Sequence, residues 1–130
     1  MVPSASPTYY PSLSPHSISI ITTIAGTGAG SYSGDGGQAT SAAISTPGGI
    51  ALDSSGNVLF SDCANQRVRK ITTSTGIIST YAGTGLTSYG GDGGAATSAA
   101  FNTIEGLCMD TSGINTNIRL EFILMFSLPS

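Results

Sequence analysis

A long unit occurs twice in this chain, and the repetition restricts the folds open to it. Residues 24–56 recur as residues 81–113, offset by 57 positions with no gap. From Ile20 aligned with Ile77, 23 of 37 positions are identical. In a repeat architecture each unit buries its apolar face against a neighbouring unit, and several units are needed to close a core. The second copy stops matching halfway, so the sequence predicts an architecture that needs more units than it contains.

The composition argues against several functions. Only 8% of the 130 residues are charged, and the net charge is −3, whereas about 25% of residues are charged in an average globular domain. Three of the four basic residues are Arg67, Arg69 and Lys70. Because this is too little positive charge for a phosphate-binding surface, we expect no nucleic-acid partner. No apolar run reaches the length of a membrane span, and no signal peptide is recognisable.

The chain divides into three segments. Residues 1–17 carry a proline at every fourth position from Pro3 to Pro15, which predicts a Pro- and Ser-rich disordered tail. Residues 18–113 hold the repeat. Residues 114–130 read INTNIRLEFILMFSLPS, unlike the first copy, and we interpret them as an irregular apolar C-terminal tail. So abrupt a break favours a truncated or frame-shifted coding sequence over gradual divergence.

Four runs rich in β-branched residues predict an antiparallel sheet. The predicted strands span residues 49–53, 58–61, 67–72 and 77–82, with short connections of turn-forming residues between them. Connections this short join antiparallel neighbours. We therefore expect an all-β fold, a partial β-propeller with one complete four-stranded antiparallel blade over about residues 47–83.

Two further strands are predicted at the borders of this blade. Residues 18–25 are the repeat counterpart of residues 77–82, the last strand of the blade. Residues 106–110 are the counterpart of residues 49–53, the first strand. The predicted fold thus includes the outer strand of the preceding blade and the inner strand of the following one.

Two glycine-rich segments connect these elements; we call residues 26–46 the first link and residues 83–103 the second link. Each contains a GDGG block, and residues 39–44 predict a short helical turn. Calcium takes six to eight oxygen ligands, but Asp35 and Asp92 are single carboxylates. We therefore expect a structural block, with glycines at positive φ and an Asp bonded to backbone amides. No metal site and no cofactor are expected.

Three polar residues flank the turn between the second and third strands, namely Asp62, Asn65 and Arg67. The carboxylate of Asp62 and the guanidinium of Arg67 can pair across so short a turn, and Asn65 suits a left-handed position. We expect these three residues to be structural. Alternate turns of a meander lie at the same end, so this turn shares one side with both links. The candidate binding face on that side consists of Tyr32, Asp35, Asn65, Gln66, Tyr89 and Asp92.

The stretch SSGNVLFSDCANQRVRKI, together with TGIISTYAGTG and GDGGQATSAA, resembles the NHL-repeat β-propeller family in its form with long GDGG-containing links. The resemblance covers residues 18–113 and includes the D-x-x-N-x-R-V core. It implies a ring of about six blades around a central channel. It also implies binding of proteins, carbohydrate or RNA, or, in a few members, lyase activity that uses metal-binding histidines. This chain would supply about one and a half blades.

The sequence therefore predicts a non-catalytic binding or interaction module, a truncated remnant of a longer NHL-repeat protein. We expect no enzyme activity, because the single histidine, His16, lies in the predicted disordered tail. The expected partners are proteins or carbohydrate, and open sheet edges favour self-association. Two alternatives remain open: a fragment of a propeller enzyme whose catalytic residues lie in missing blades, and a protein that forms a propeller from several chains. The compartment is also open, since the Ser/Pro tail and the resemblance allow an extracellular parent protein.

Overall fold

The computed structural model describes residues 19–107 and contains one four-stranded antiparallel sheet. Its strands lie side by side in chain order: β1 (Pro47–Leu52), β2 (Val58–Asp62), β3 (Arg67–Thr72) and β4 (Ile77–Ala82). The predicted all-β meander is confirmed, and β1 begins two residues earlier than expected. The two predicted tails and the end of the repeat lie outside the described residues. The helices in the described part are turns of three residues, and none could cross a membrane.

The turn between β1 and β2 is held by Asp53. Its carboxylate accepts hydrogen bonds from the backbone N–H groups of Ser55 and Asn57, each at 2.9 Å. Lys70 on β3 places its Nζ 2.9 Å from Asp53 Oδ2. The side-chain hydrogen bond from Asn57 and the ion pair with Lys70 lower the pKa of Asp53 below its ordinary value. Gly56 supplies the positive φ of 78° that closes the turn.

The two links fold alike. In each, the N–H of the first glycine, Gly26 or Gly83, donates to the first carbonyl of a 3-10 turn, at 2.9 and 3.0 Å respectively. These turns span Ala39–Ser41 and Ala96–Ser98; the first occupies the first three residues of the helical turn predicted over residues 39–44. The repeat therefore extends from the amino-acid sequence to the hydrogen bonds of the backbone.

Each face of the sheet is covered by a different link. Alternate residues of a strand point to opposite faces, so β2 is buried along its whole length. One face packs on the first link in a cluster of Ala39, Ala42, Val58, Phe60, Ile71 and Ile78. The other face packs on residues of the second link and its continuation in a cluster of Leu59, Val68, Ala82, Phe101 and Ile104. The blade therefore obtains its core from both copies of the link and not from its own strands alone.

The segment before the first link differs from the prediction. Residues 19–25 form no strand, although their counterpart is β4. Strand geometry requires a hydrogen-bonded neighbour, and β4 has one in β3, whereas no strand of the described residues pairs with residues 19–25. The side chains of Ile20 and Ile21 are accordingly 78% and 97% exposed.

Residues 106 and 107, the described part of the predicted second inner strand, have no strand conformation but lie beside β1. The N–H of Gly49 in β1 donates to the carbonyl of Glu105 at 3.2 Å. A Cβ at Gly49 would lie 2.6 Å from the backbone nitrogen of Leu107, so only glycine permits this approach. Gly49 thus permits the close approach of β1 to residues 105–107, whereas a Cβ at its repeat counterpart Gly106 would meet nothing within 4 Å.

Candidate interaction face

The first link is attached to the edge of β4 by its GDGG block. The N–H of Gly36 donates to the carbonyl of Ile78 at 2.8 Å, and the N–H of Ile78 donates to the carbonyl of Gly37 at 3.0 Å. Asp35 accepts a third hydrogen bond from the N–H of Thr80 at 2.9 Å. Gly36 has a φ of 81°, as expected for a structural GDGG block. The block therefore closes a sheet edge that would otherwise expose unpaired amide groups.

Asp35 also lies in a group of polar side chains. Its carboxylate accepts a hydrogen bond from Tyr32 Oη at 3.0 Å and pairs with Arg69 Nη2 at 2.7 Å. Partial burial opposes the charged form of Asp35, but hydrogen bonds from Thr80 and Tyr32 and the charge of Arg69 outweigh it and lower the pKa of Asp35 below its ordinary value. Asp35 is therefore an anchor of the link and not a free ligand.

A buried ion pair lies beneath this group. Arg69 on β3 and Asp62 on β2 are both fully buried, and Arg69 Nη1 lies 3.1 Å from Asp62 Oδ2. Asp62 Oδ1 accepts from Asn65 Nδ2 and from the N–H of Ser45, each at 2.8 Å. A buried carboxylate needs several such partners to offset its desolvation. Asp62 thus joins β2, β3 and the end of the first link.

The predicted pairing of Asp62 with Arg67 is wrong. The two residues are directly opposite in the β2–β3 register, but the guanidinium of Arg67 lies elsewhere. It stacks 3.7 Å from the centroid of the Tyr32 ring and donates to the carbonyls of Asn65 at 3.0 Å and Thr84 at 2.7 Å. The partly exposed guanidinium of Arg67 thus has an aromatic ring and two carbonyls as partners. The carboxylate of Asp62 pairs with Arg69 instead. Arg67 therefore connects the two links.

The left-handed turn position is also not where the sequence placed it. Gln66 has φ 51° and ψ 46°, while Asn65 belongs to the 3-10 turn Cys63–Asn65. Asn65 uses its side chain instead, since Nδ2 donates both to Asp62 and, at 3.0 Å, to the carbonyl of Ser31 in the first link. The short turn leaves the last residue before β3 to reverse the chain, and that residue is Gln66.

The predicted binding face divides into two parts. Tyr32, Asp35 and Asn65 lie in one network, and each contacts or pairs with a blade residue, as described above. Tyr89 and Asp92 occupy the equivalent positions of the second link, where Tyr89 is 75% exposed against 38% for Tyr32. No side-chain hydrogen bond to Tyr89 or Asp92 occurs among residues 19–107. In the same range no group of three or more His, Cys, Asp or Glu side chains could hold a metal ion.

Two residues of the network, Arg69 and Thr80, are absent from the sequence-based set. The signal for Arg69 is the R-x-R spacing of β3, which places Arg67 and Arg69 on one face of the sheet. The signal for Thr80 is its repetition as Thr23 in the first copy. Neither signal identifies the partner, which the fold of the first link decides.

Gly85 tests the bridging role of Arg67. A Cβ at Gly85 would collide with the guanidinium of Arg67, whereas a Cβ at the equivalent Gly28 would meet nothing within 4 Å. The two glycines have φ of 85° and 87°, so Gly85→Ala and Gly28→Ala carry the same backbone cost of about 1–2 kcal/mol. We expect Gly85→Ala to lower the free energy of unfolding by about 1–2 kcal/mol more, through lost hydrogen bonds of Arg67. Urea titration followed by circular dichroism measures the difference, and equal losses would contradict the bridge.

Comparison with known proteins agrees with this geometry. The family model of the teneurin NHL domain matches residues 21–90, more than half of the chain. A solved structure, a structural-genomics protein of unknown function from Bacteroides thetaiotaomicron VPI-5482, is similar with a TM-score of 0.54 and 26% identity over 64% of this chain. The match spans 21% of that protein. Among curated proteins, none matches significantly. The family match, the four-stranded blade and the repeated GDGG link together show that this chain belongs to the teneurin NHL domain family.

Proposed function

We propose that this chain is a non-catalytic interaction module, part of the propeller of a longer NHL-repeat protein. NHL domains are in general protein-interaction modules and not enzymes. The carboxylates of Asp35, Asp53 and Asp62 are each engaged by a cation and by backbone N–H groups. Groups engaged in this way hold the loops in place and are poorly suited to acid–base chemistry.

The second link carries the proposal. It presents Leu86 and Tyr89, which are 67% and 75% exposed. The N–H groups of Gly83 and Thr84 close the base of the link by donating to the carbonyls of Ala96 and Ala99, and Arg67 of β3 donates to the carbonyl of Thr84 at 2.7 Å. Exposed aromatic side chains on a rigid scaffold are common anchors of protein interfaces. We propose that Tyr89 and Asp92 make the contact with the partner. The other members of the predicted binding face, Tyr32, Asp35, Asn65 and Gln66, belong to the network and the turn that hold the first link on the blade.

The test uses Tyr89→Ser with Leu52→Ser as its control. Leu52 is the last residue of β1, lies outside the predicted binding face and is 59% exposed. Both variants therefore remove an exposed apolar side chain. Proteins retained by the immobilised full chain are identified by mass spectrometry and their affinities measured with purified partners. We expect Tyr89→Ser to weaken the affinity of a specific partner by about tenfold or more and Leu52→Ser to leave it unchanged. A partner affinity equal in both variants would refute the face.

The longer parent protein is tested by the transcript. The second link repeats the residues with which the first link holds a blade, which supports a following blade. Sequencing of full-length transcripts is expected to give further units of 57 residues. A transcript that encodes only these 130 residues would contradict this part of the proposal.

A further inference from the structure

Residues 20–25 and the second link are the repeat counterparts of two elements that bind each other, β4 and the first link. Residues 20–25 are the counterpart of β4, and the second link is the counterpart of the first. β4 and the first link are joined edge to edge. Residues 20–24 are exposed, and so are residues 86–98 of the second link. Within residues 19–107 the chain therefore carries one strand-like segment and one link of matching type that pair with no other described segment.

The contacts between β4 and the first link define what such a pair needs. Four backbone N–H groups donate hydrogen bonds of 2.8 to 3.0 Å. From the link, the N–H of Gly36 donates to the carbonyl of Ile78 and the N–H of Ala39 donates to the carbonyl of Gly76. From β4, the N–H of Ile78 donates to the carbonyl of Gly37 and the N–H of Thr80 donates to the carboxylate of Asp35. Tyr32 Oη adds a hydrogen bond with Thr80 Oγ1 at 2.9 Å. Three of the five contacts are made by the backbone, and the other two need an Asp, a Tyr and a Thr.

The required residues are present at the unpaired positions. On the strand side, Ile78 and Thr80 correspond to Ile21 and Thr23, which are identical in type. On the link side, the counterparts of the residues in these five contacts are identical, namely Tyr89, Asp92, Gly93, Gly94 and Ala96. Gln38 is the exception among its neighbours, since its Nε2 donates to the carbonyl of Thr75 at 3.3 Å and its counterpart is Ala95. Gly93 also has the positive φ, 76°, that Gly36 uses. The second link is thus already shaped to receive a strand of the type found in residues 20–25.

The blade separates the two surfaces within one chain. Ala25, at the end of the segment, packs on the same face of the sheet as Ala39 of the first link. Ala99 of the second link packs on the opposite face. Because the four-stranded sheet lies between them, the segment of one chain does not reach the second link of the same chain. Among the described residues, the matching strand for the second link must therefore come from another molecule.

We propose that the second link of one molecule binds the segment 20–25 of a second copy of this chain, in the geometry that β4 and the first link show. The contact is heterologous, since donor and acceptor surfaces differ, so copies associate head to tail. In this contact, the N–H groups of Ile21 and Thr23 donate to the second link, and the carbonyls of Ser19 and Ile21 accept from it. This association goes beyond the proposed partner binding and does not require it, although both use Tyr89 and Asp92 and therefore compete for the second link. A strand from another protein or from a further repeat is a rival occupant, which the following experiment separates.

Two forms of the full chain, each altered at only one of the two surfaces, test the proposal. The strand-defective form is Ile21→Pro, which removes the N–H that would donate to the carbonyl of Gly94. The side chain of Ile21 is 97% exposed, so its replacement leaves the core intact. The link-defective form is Asp92→Ala with Ala96→Pro. Ala96 is the first residue of its 3-10 turn and follows an extended residue at ψ 135°, so proline fits there and only the donor is lost. Thr22→Pro is the matched control, because by the pattern of β4 the N–H of Thr22 points away from the link.

Sedimentation velocity over a range of concentrations measures the association. We expect the wild-type chain and Thr22→Pro to form dimers and longer head-to-tail species, and each defective form to dissociate with a constant raised about tenfold or more. An equimolar mixture of the two defective forms should associate again and stop at one-to-one, because it retains one intact surface of each kind.

Three results would overturn the proposal: a wild-type chain that stays monomeric, defective forms that associate as the wild type does, or a mixture that stays monomeric. The first result indicates a strand that comes from another protein or from a further repeat. The second indicates a different contact, and the third shows that one intact surface of each kind is not enough for association. Tyr89 is unchanged in all these forms, so a failure here leaves the partner-binding test of Tyr89→Ser unaffected.

Discussion

Replacement of Asp62 by alanine is expected to lower the free energy of unfolding by about 3–5 kcal/mol. The substitution leaves the guanidinium of Arg69 fully buried without its partner on β2. It also removes the acceptor of the hydrogen bonds from Ser45 and Asn65. Since small domains have a total stability of about 5–15 kcal/mol, this single change should consume a large share of it. Urea titration followed by circular dichroism measures the loss, because the chain contains no Trp.

A double variant separates the buried charge from the other effects. Arg69→Met in the Asp62→Ala background removes the cation that has lost its buried partner and keeps most of the side-chain volume. We expect the double variant to be more stable than Asp62→Ala alone, by about 1–3 kcal/mol, because no buried charge remains uncompensated. Asp35 limits this recovery, as it too loses its partner Arg69. A double variant that shows the summed losses of Asp62→Ala and Arg69→Met would refute this account of the pair.

Alanine at Gly34 is expected to destabilise the chain far more than alanine at Gly36. Both glycines have positive φ, 91° and 81°, so both changes pay about 1–2 kcal/mol for the left-handed backbone. A Cβ at Gly34 would lie 2.7 Å from the Cα and Cβ of the fully buried Ala42, whereas a Cβ at Gly36 would meet nothing within 4 Å. Ala42 belongs to the core under the first link, and its backbone cannot yield as a flexible side chain does. The overpacking adds about 1–3 kcal/mol for Gly34→Ala alone.

The second link provides an independent copy of this comparison. A Cβ at Gly91 would lie 2.6 Å from the Cα of Ala99, and a Cβ at Gly93 would again meet nothing within 4 Å. The same order of destabilisation is therefore expected for Gly91→Ala and Gly93→Ala by the same urea titration. Equal losses within each pair would mean that the link relaxes freely over the blade and is not fixed by close packing.

The strands were predictable because their signals are local. β3 and β4 begin and end at the predicted residues, since turn-forming residues bound each run of β-branched residues. The positive φ of the first two glycines of each GDGG block was predictable for the same reason. The left-handed residue was not, because Asn65 and Gln66 are adjacent and the turn could use either one. Its position depends on the hydrogen bonds that Asn65 makes with the first link.

Repetition, spacing and turn chemistry thus determined the family, the four-stranded meander and the structural character of the links. The tertiary structure alone decided which arginine pairs with Asp62, because Arg67 and Arg69 lie on one face of β3 and differ only in what packs above them. It also decided that residues 19–25 are not a strand, although their sequence closely repeats that of β4. A strand requires hydrogen bonds from a neighbour, and those bonds depend on the surrounding fold and not on the segment itself.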